Sequence, residues 1–136
     1  MTCVIDASIA IGWTFKDKYT PFLQRLERQV AKQGAVVPAL WHLEVANVIL
    51  QGENRGRIAP ADSLAQLNLL RALPIEVDHE TLVGAWAETF ALARTQRLTL
   101  YDAAYLELAA RRALPLASLD EDLTAAAKKI GVAVLI

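Results

Sequence analysis

A chain of 136 residues that is 54% hydrophobic is too apolar to stay disordered, and it is long enough to bury a core without help from its single cysteine. No apolar run approaches the ~20 residues of a membrane span, and no basic segment with an apolar stretch behind it opens the chain. The expectation is one cytoplasmic domain over 1–136 with no membrane attachment. Fourteen Lys and Arg against fifteen Asp and Glu give a net charge of −1, so binding to a polyanion must come from local patches.

Cys3-Val4-Ile5 is a wholly apolar run, the composition of a strand buried on both faces of a parallel sheet. Cys3 inside it reads as a small buried hydrophobe. The run ends on Asp6, and the small residues Ala7-Ser8 lead into a helical pattern. Side chains at the carboxyl ends of central strands face the crevice where open α/β sheets bind ligands. Asp6 is therefore either a site residue or the cap of the next helix. Phe22, Leu23, Leu26 and Val30 repeat at helical spacing, with Gly34 as a C-cap. Ala35-Val-Val-Pro38 predicts a second strand, Leu40 to Gln51 an apolar helix, and 52–58 a loop. Pro60 opens a helix to about Ala72, and Ile75-Glu-Val77 is a more polar strand that belongs at an edge. Leu82, Trp86, Phe90 and Ala93 stripe one long helix from near His79, which places Trp86 and Phe90 in the core. Asp102 opens the next helix, Leu116-Ala-Ser118 is a fourth strand, Glu121 to Ile130 a helix, and Val132 to Ile136 a fifth strand. The alternation predicts a three-layer α/β domain with a mostly parallel sheet.

Each acid placed on this scaffold has a structural account. Glu44, Asn47 and Gln51 form one polar stripe down an apolar helix, which solvation explains. Asp102 at a helix start and Asp122 one residue inside another suit the helix dipole. Asp120 ends the fourth strand as Asp6 ends the first. The coincidence carries the weight: two strand-end Asp, a helix-start Asp and a Glu on a buried helix can converge on one crevice.

Four stretches in order, Val4-Ile-Asp-Ala-Ser8, Pro38-x-x-Trp41-x-x-Glu44-x-x-Asn47, Leu100-Tyr-Asp-Ala-Ala104 and Ser118-Leu-Asp120 with Asp122-Leu behind it, resemble PIN domains. Within these they look most like the VapC-type toxins of toxin–antitoxin pairs. The resemblance covers the whole chain. It implies a PIN-like fold with a five-stranded sheet in the order 3-2-1-4-5, which sets Asp6 beside Asp120. It also implies a metal-dependent ribonuclease with Asp6, Glu44, Asp102 and Asp120 as its acids, Ser8 and Ser118 lining the site, and Asn47 and Asp122 in support. Asp122 stays open as an alternative to Asp120. The family further implies a cognate antitoxin that occludes the site, and a homodimer is expected as the commonest closed symmetry.

Crowded carboxylates repel and raise one another's pKa. A hard divalent cation relieves this, and an all-oxygen set suits Mg²⁺ or Mn²⁺. His42 and His79 are far apart and no Ser–His–Asp set is present, so metal-activated water is favoured over a protein nucleophile. Lys16, Lys18, Arg94, Arg97, Arg111, Arg112, Lys128 and Lys129 are candidates for RNA phosphates. The last four also suit helix C-termini. Trp13 and Tyr19, near Asp6, are candidates for stacking on bases. A HAD-type phosphatase would need an acid where Ser8 stands, and a nucleotide-binding module a glycine-rich loop after the first strand. A PIN-like subunit that binds RNA or protein without cleaving is the remaining alternative.

Overall fold

The computed structural model describes residues 2–135. Four strands, β1 (Cys3–Ile5), β2 (Ala35–Pro38), β3 (Ile75–Asp78) and β4 (Leu116–Ala117), form a parallel sheet in the order β3-β2-β1-β4. Its helices are α1 (Ala7–Thr14), α2 (Pro21–Gln33), α3 (Leu40–Asn54), α4 (Pro60–Ala72), α5 (Thr81–Gly84), α6 (Glu88–Gln96), α7 (Leu100–Arg112) and α8 (Glu121–Lys129). The α/β class and the strand order agree with expectation.

The central strands are buried on both faces because they carry nothing polar. Every side chain of β1 and β2 is buried, whereas β3 alternates, as an edge strand facing partial solvent does. Pro38 sits in a central strand after all, but as its last residue, where a missing N–H costs least. Gly34 is needed for its backbone: its φ is +80°, and a Cβ there would come within 2.9 Å of the Pro74 carbonyl oxygen.

Several expected elements differ. The fifth strand reduces to one parallel bridge, Val134 with Leu116, on the outer side of β4; Ile136 lies outside the described residues. The position is that of a fifth strand, but the hydrogen bonds there amount to Leu116 N–H to Ala133 and Leu135 N–H to Leu116. The helix α3 runs on to Asn54 through Gly52, which is buried against Phe15, where a loop was expected. The stripe from Leu82 to Ala93 does not make one helix. A turn at 85–87 divides it into α5 and α6, and Trp86 in that turn is 94% exposed, Phe90 47%. Neither belongs to the core. Conversely Trp13 is buried, with its Nε1–H donating to the Leu23 carbonyl at 2.9 Å, so it is not available to stack on bases.

Candidate active site

The site grows from the end of β1. Parallel pairing of Val4 with Leu116 and Ile5 with Ala117 sets β4 beside β1, the point at which the strand order reverses. Asp6 follows β1 and is 5% exposed. Its carboxylate accepts hydrogen bonds from Ser8 Oγ on one oxygen and Ser118 Oγ on the other, both 2.5 Å. The two hydroxyls in turn accept backbone N–H groups, Leu119 to Ser8 at 2.8 Å and Asp120 to Ser118 at 3.0 Å. The loop after β4 is thereby tied to Asp6, and it carries Asp120 with it. Trp41 Nε1–H donates to the Asp6 carbonyl at 3.3 Å, which ties α3, the helix of Glu44, to the same place.

Helix α7 supplies the rest. Its N-cap is Thr99, whose Oγ1 accepts the Asp102 N–H at 3.1 Å, so Asp102 lies one turn inside the helix and does not open it. With Thr99 capping, Asp102 is not needed as the cap. Three residues on, Tyr105 donates its hydroxyl to Glu44 Oε1 at 2.5 Å, joining α7 to α3. Tyr105 was not among the expected site residues. The available signal was its spacing from Asp102, i to i+3 on one helix face. Asp120 does not end β4; it follows Ser118-Leu119 and caps α8, its Oδ1 accepting from Asp122 and Leu123 N–H. Asp122 is exposed, as are Asn47 and Gln51, so only Glu44 of that stripe is drawn inward.

Electrostatics shows which acids feel one another's charge. Burial pushes the Asp6 carboxyl up to about 6, against the pull of its two serine hydroxyls, and the Asp102 charge adds to the rise. Glu44 is raised first by burial and then by Asp102, with Tyr105 opposing. Asp102 is raised first by burial, then by Asp120 and Asp122. Asp102 is thus the hub, within electrostatic reach of Asp6, Glu44, Asp120 and Asp122. The Tyr105 phenol is held far above its ordinary range by burial, by its bond to Glu44 and by the surrounding carboxylates.

Asp78 provides the contrast. It is the last residue of β3 and is 1% exposed, but Arg111 reaches both its oxygens and Arg112 one of them. Those guanidiniums hold its carboxyl down at about 2 despite burial. Arg111 also meets Glu80 and Glu107, and Arg112 meets Glu76, so these two cations are committed to the fold and not to phosphates. Among the described residues no ion pair reaches Asp6, Glu44, Asp102 or Asp120. Their negative charge is uncompensated. A divalent cation fits this all-oxygen donor set and its unmet charge. Among the described residues, however, no three His, Cys, Asp or Glu side chains are placed to hold one ion by themselves. Water would have to complete the shell, as Mg²⁺ commonly allows.

A parallel α/β sheet flanked by helices, with acids that no cation neutralises beside its switch point, defines the class of fold. The PIN domain family model matches residues 3–129, and the chain belongs to that family. The structure is similar to the crystal structure of PAE2754 from Pyrobaculum aerophilum, with a TM-score of 0.69 over 93% of this chain and 87% of that one; at 21% identity the likeness speaks for the fold. Comparison with curated proteins gave no match. The PIN fold is a nuclease-type fold, PIN domains are generally nucleases, and they typically use divalent metals. No helix among the described residues is long and apolar enough to cross a membrane.

Proposed function

We propose that this protein is a Mg²⁺- or Mn²⁺-dependent endoribonuclease acting in the cytoplasm as the toxin of a VapBC-type toxin–antitoxin pair. The observation that carries the reading is the contrast between Asp78, neutralised by two arginines, and the Asp6–Glu44–Asp102–Asp120 group, which no cation neutralises. Buried unpaired charge is costly and persists where function uses it. Asp6, Asp102 and Asp120 are assigned to the ion, directly or through water, with Glu44 on a water or a second ion. A divalent ion held there supplies charge neutralisation, polarises a phosphoryl oxygen and lowers the pKa of a nearby water.

The chain's own residues do the positioning. Ser8 and Ser118 fix both oxygens of Asp6, and Ser118 sets the backbone of Asp120. Tyr105 fixes Glu44 and leaves its second oxygen to accept from water or substrate. Exposed Lys16, Lys18, Arg94 and Arg97 are the remaining candidates for the RNA backbone, together with Lys128 and Lys129 in the last turn of α8. Single-stranded or loop regions are the expected targets, since splayed bases are the readable part of RNA. The unpaired acids also suit an antitoxin segment that lays an apolar helix in a groove and extends an Arg or Lys to the carboxylates. The chain is proposed to pair with itself as well.

The absence of a ready three-acid ion site among the described residues favours a second reading, a PIN-like subunit that binds RNA or protein without cleaving. Incubation with a structured RNA separates the two. Cleavage in Mn²⁺ or Mg²⁺ that stops in EDTA supports the nuclease, and RNA bound but intact in either ion supports the binding subunit.

A further inference from the structure

The chain turns from α6 into α7 just before the end of α7 that bears Asp102. Arg97 caps α6 in the left-handed region at φ 55°, and its N–H and that of Leu98 both donate to the Ala93 carbonyl, which fixes the turn. Beside it lies a cavity of about 240 Å³ lined by Phe90, Ala93, Arg94, Leu98 and Leu100. A site for a drug-sized ligand holds roughly 300–1,000 Å³, so this one suits a single flat ring system. Phe90 is half-exposed, and the Arg94 guanidinium lies 5.0 Å from its ring centroid. Leu100 and Asp102 share the first turn of α7, about 3 Å apart along its axis. Tyr101 between them is 64% exposed. Among the described residues neither Arg94 nor Arg97 enters an ion pair, unlike Arg111 and Arg112.

We propose that this cavity seats one unstacked guanine of the RNA, close to the phosphate on which the four acids act. Unpaired bases of RNA are held by stacking on aromatic rings and Arg planes, and are read along their edges. Phe90 and Arg94 supply such a stack, over an apolar floor of Ala93, Leu98 and Leu100. Arg94 is the one polar side chain lining the cavity, and it donates but cannot accept. Guanine presents two adjacent acceptors, O6 and N7, to such a fork, whereas the amino groups of adenine and cytosine would meet no side-chain acceptor there. Uracil offers a single acceptor on that edge and a smaller face to stack. Tyr101 provides a second ring for the neighbouring base, and Arg97 a charge for its phosphate. The inference rests on the proposal that the site takes RNA, but it does not depend on cleavage.

The test is fluorescence anisotropy with labelled RNA octamers in EDTA, where no cleavage intervenes. The probes are oligouridine with one central guanine, the same with adenine, and oligouridine alone. The parent is expected to bind the guanine octamer at least fivefold more tightly than either of the others, the lower end of what a bidentate base contact discriminates. Phe90→Ala should remove that preference with helical circular dichroism unchanged. Arg94→Lys keeps a charge for phosphate but loses the planar fork, and it should remove the preference too. Leu64→Ser, an exposed apolar residue on α4, should leave it intact. A parent that binds all three octamers alike, or none at 100 µM, overturns the inference, as does a guanine preference that survives Arg94→Lys. Cleavage of a structured RNA in Mn²⁺ is read separately. A nuclease without the guanine preference refutes this inference alone, and a guanine binder that leaves RNA intact refutes the nuclease reading alone.

Discussion

Replacing Asp6 by asparagine should stabilise the metal-free protein at neutral pH and do nothing of the kind at pH 4. Asp6 is buried, and its carboxyl is pushed up to about 6 from an ordinary 3.8. Because the folded pKa is the higher one, the folded state holds the proton more tightly than the unfolded chain. Stability is then full below about pH 4 and is lost as the pH rises towards 6, above which the loss is constant. Two units correspond to about 3 kcal/mol. Asparagine removes that cost, but it accepts from one serine where the carboxylate accepts from Ser8 and Ser118 together, which returns ~1 kcal/mol or more. The net expectation is a gain of about 1–2 kcal/mol at pH 7.5, shrinking to the asparagine's own offset at pH 4. Urea unfolding in EDTA between pH 4 and 8 measures it directly. A difference between the two proteins that is flat across this range would refute the reasoning.

Other consequences follow from the same contacts. Asp78→Asn should have the opposite sign, costing about 3 kcal/mol because two arginines lose their buried partner; as its carboxyl is held near 2, the parent should draw on this pair at neutral pH and lose it only as the pH falls from about 4 towards 2, read by urea unfolding. Tyr105→Phe should leave Glu44 without its donor and lower cleavage roughly tenfold, with a loss of ~1 kcal/mol in thermal melts. Millimolar Mn²⁺ should raise the melting temperature of the parent, as any ligand of the native state does, and Asp102→Asn should shrink that rise; an equal rise in both would return Asp102 to a purely structural role.

The periodicity of the chain told most where side chains are uniform. Strands β1 and β2 are apolar throughout, and their positions follow from that, whereas the strand order was legible only through the resemblance to PIN domains. It failed where the same residues serve a surface. Leu82, Trp86 and Phe90 have helical spacing and core chemistry, yet the turn at 85–87 breaks the helix and leaves them exposed, a choice that spacing cannot encode. The acids were legible as a set through their order along the chain, but not their connections. That Thr99 caps α7 in place of Asp102, that Asp120 caps α8, and that Tyr105 reaches Glu44 across 61 residues are tertiary facts. Nor does local pattern separate Asp6 from Asp78. Asp6 follows directly on β1 and Asp78 is the last residue of β3, and only the arrival of Arg111 and Arg112 from α7 makes one structural.

The central claim is that the acids left without cations, and not the paired ones, carry the chemistry, and Asp102 is their hub. Single-turnover cleavage of a structured RNA in Mn²⁺, by Asp102→Asn against the parent at a temperature where both are folded, tests it most directly. The account predicts a rate at least 100-fold lower with RNA binding retained. A rate within threefold of the parent's would contradict it.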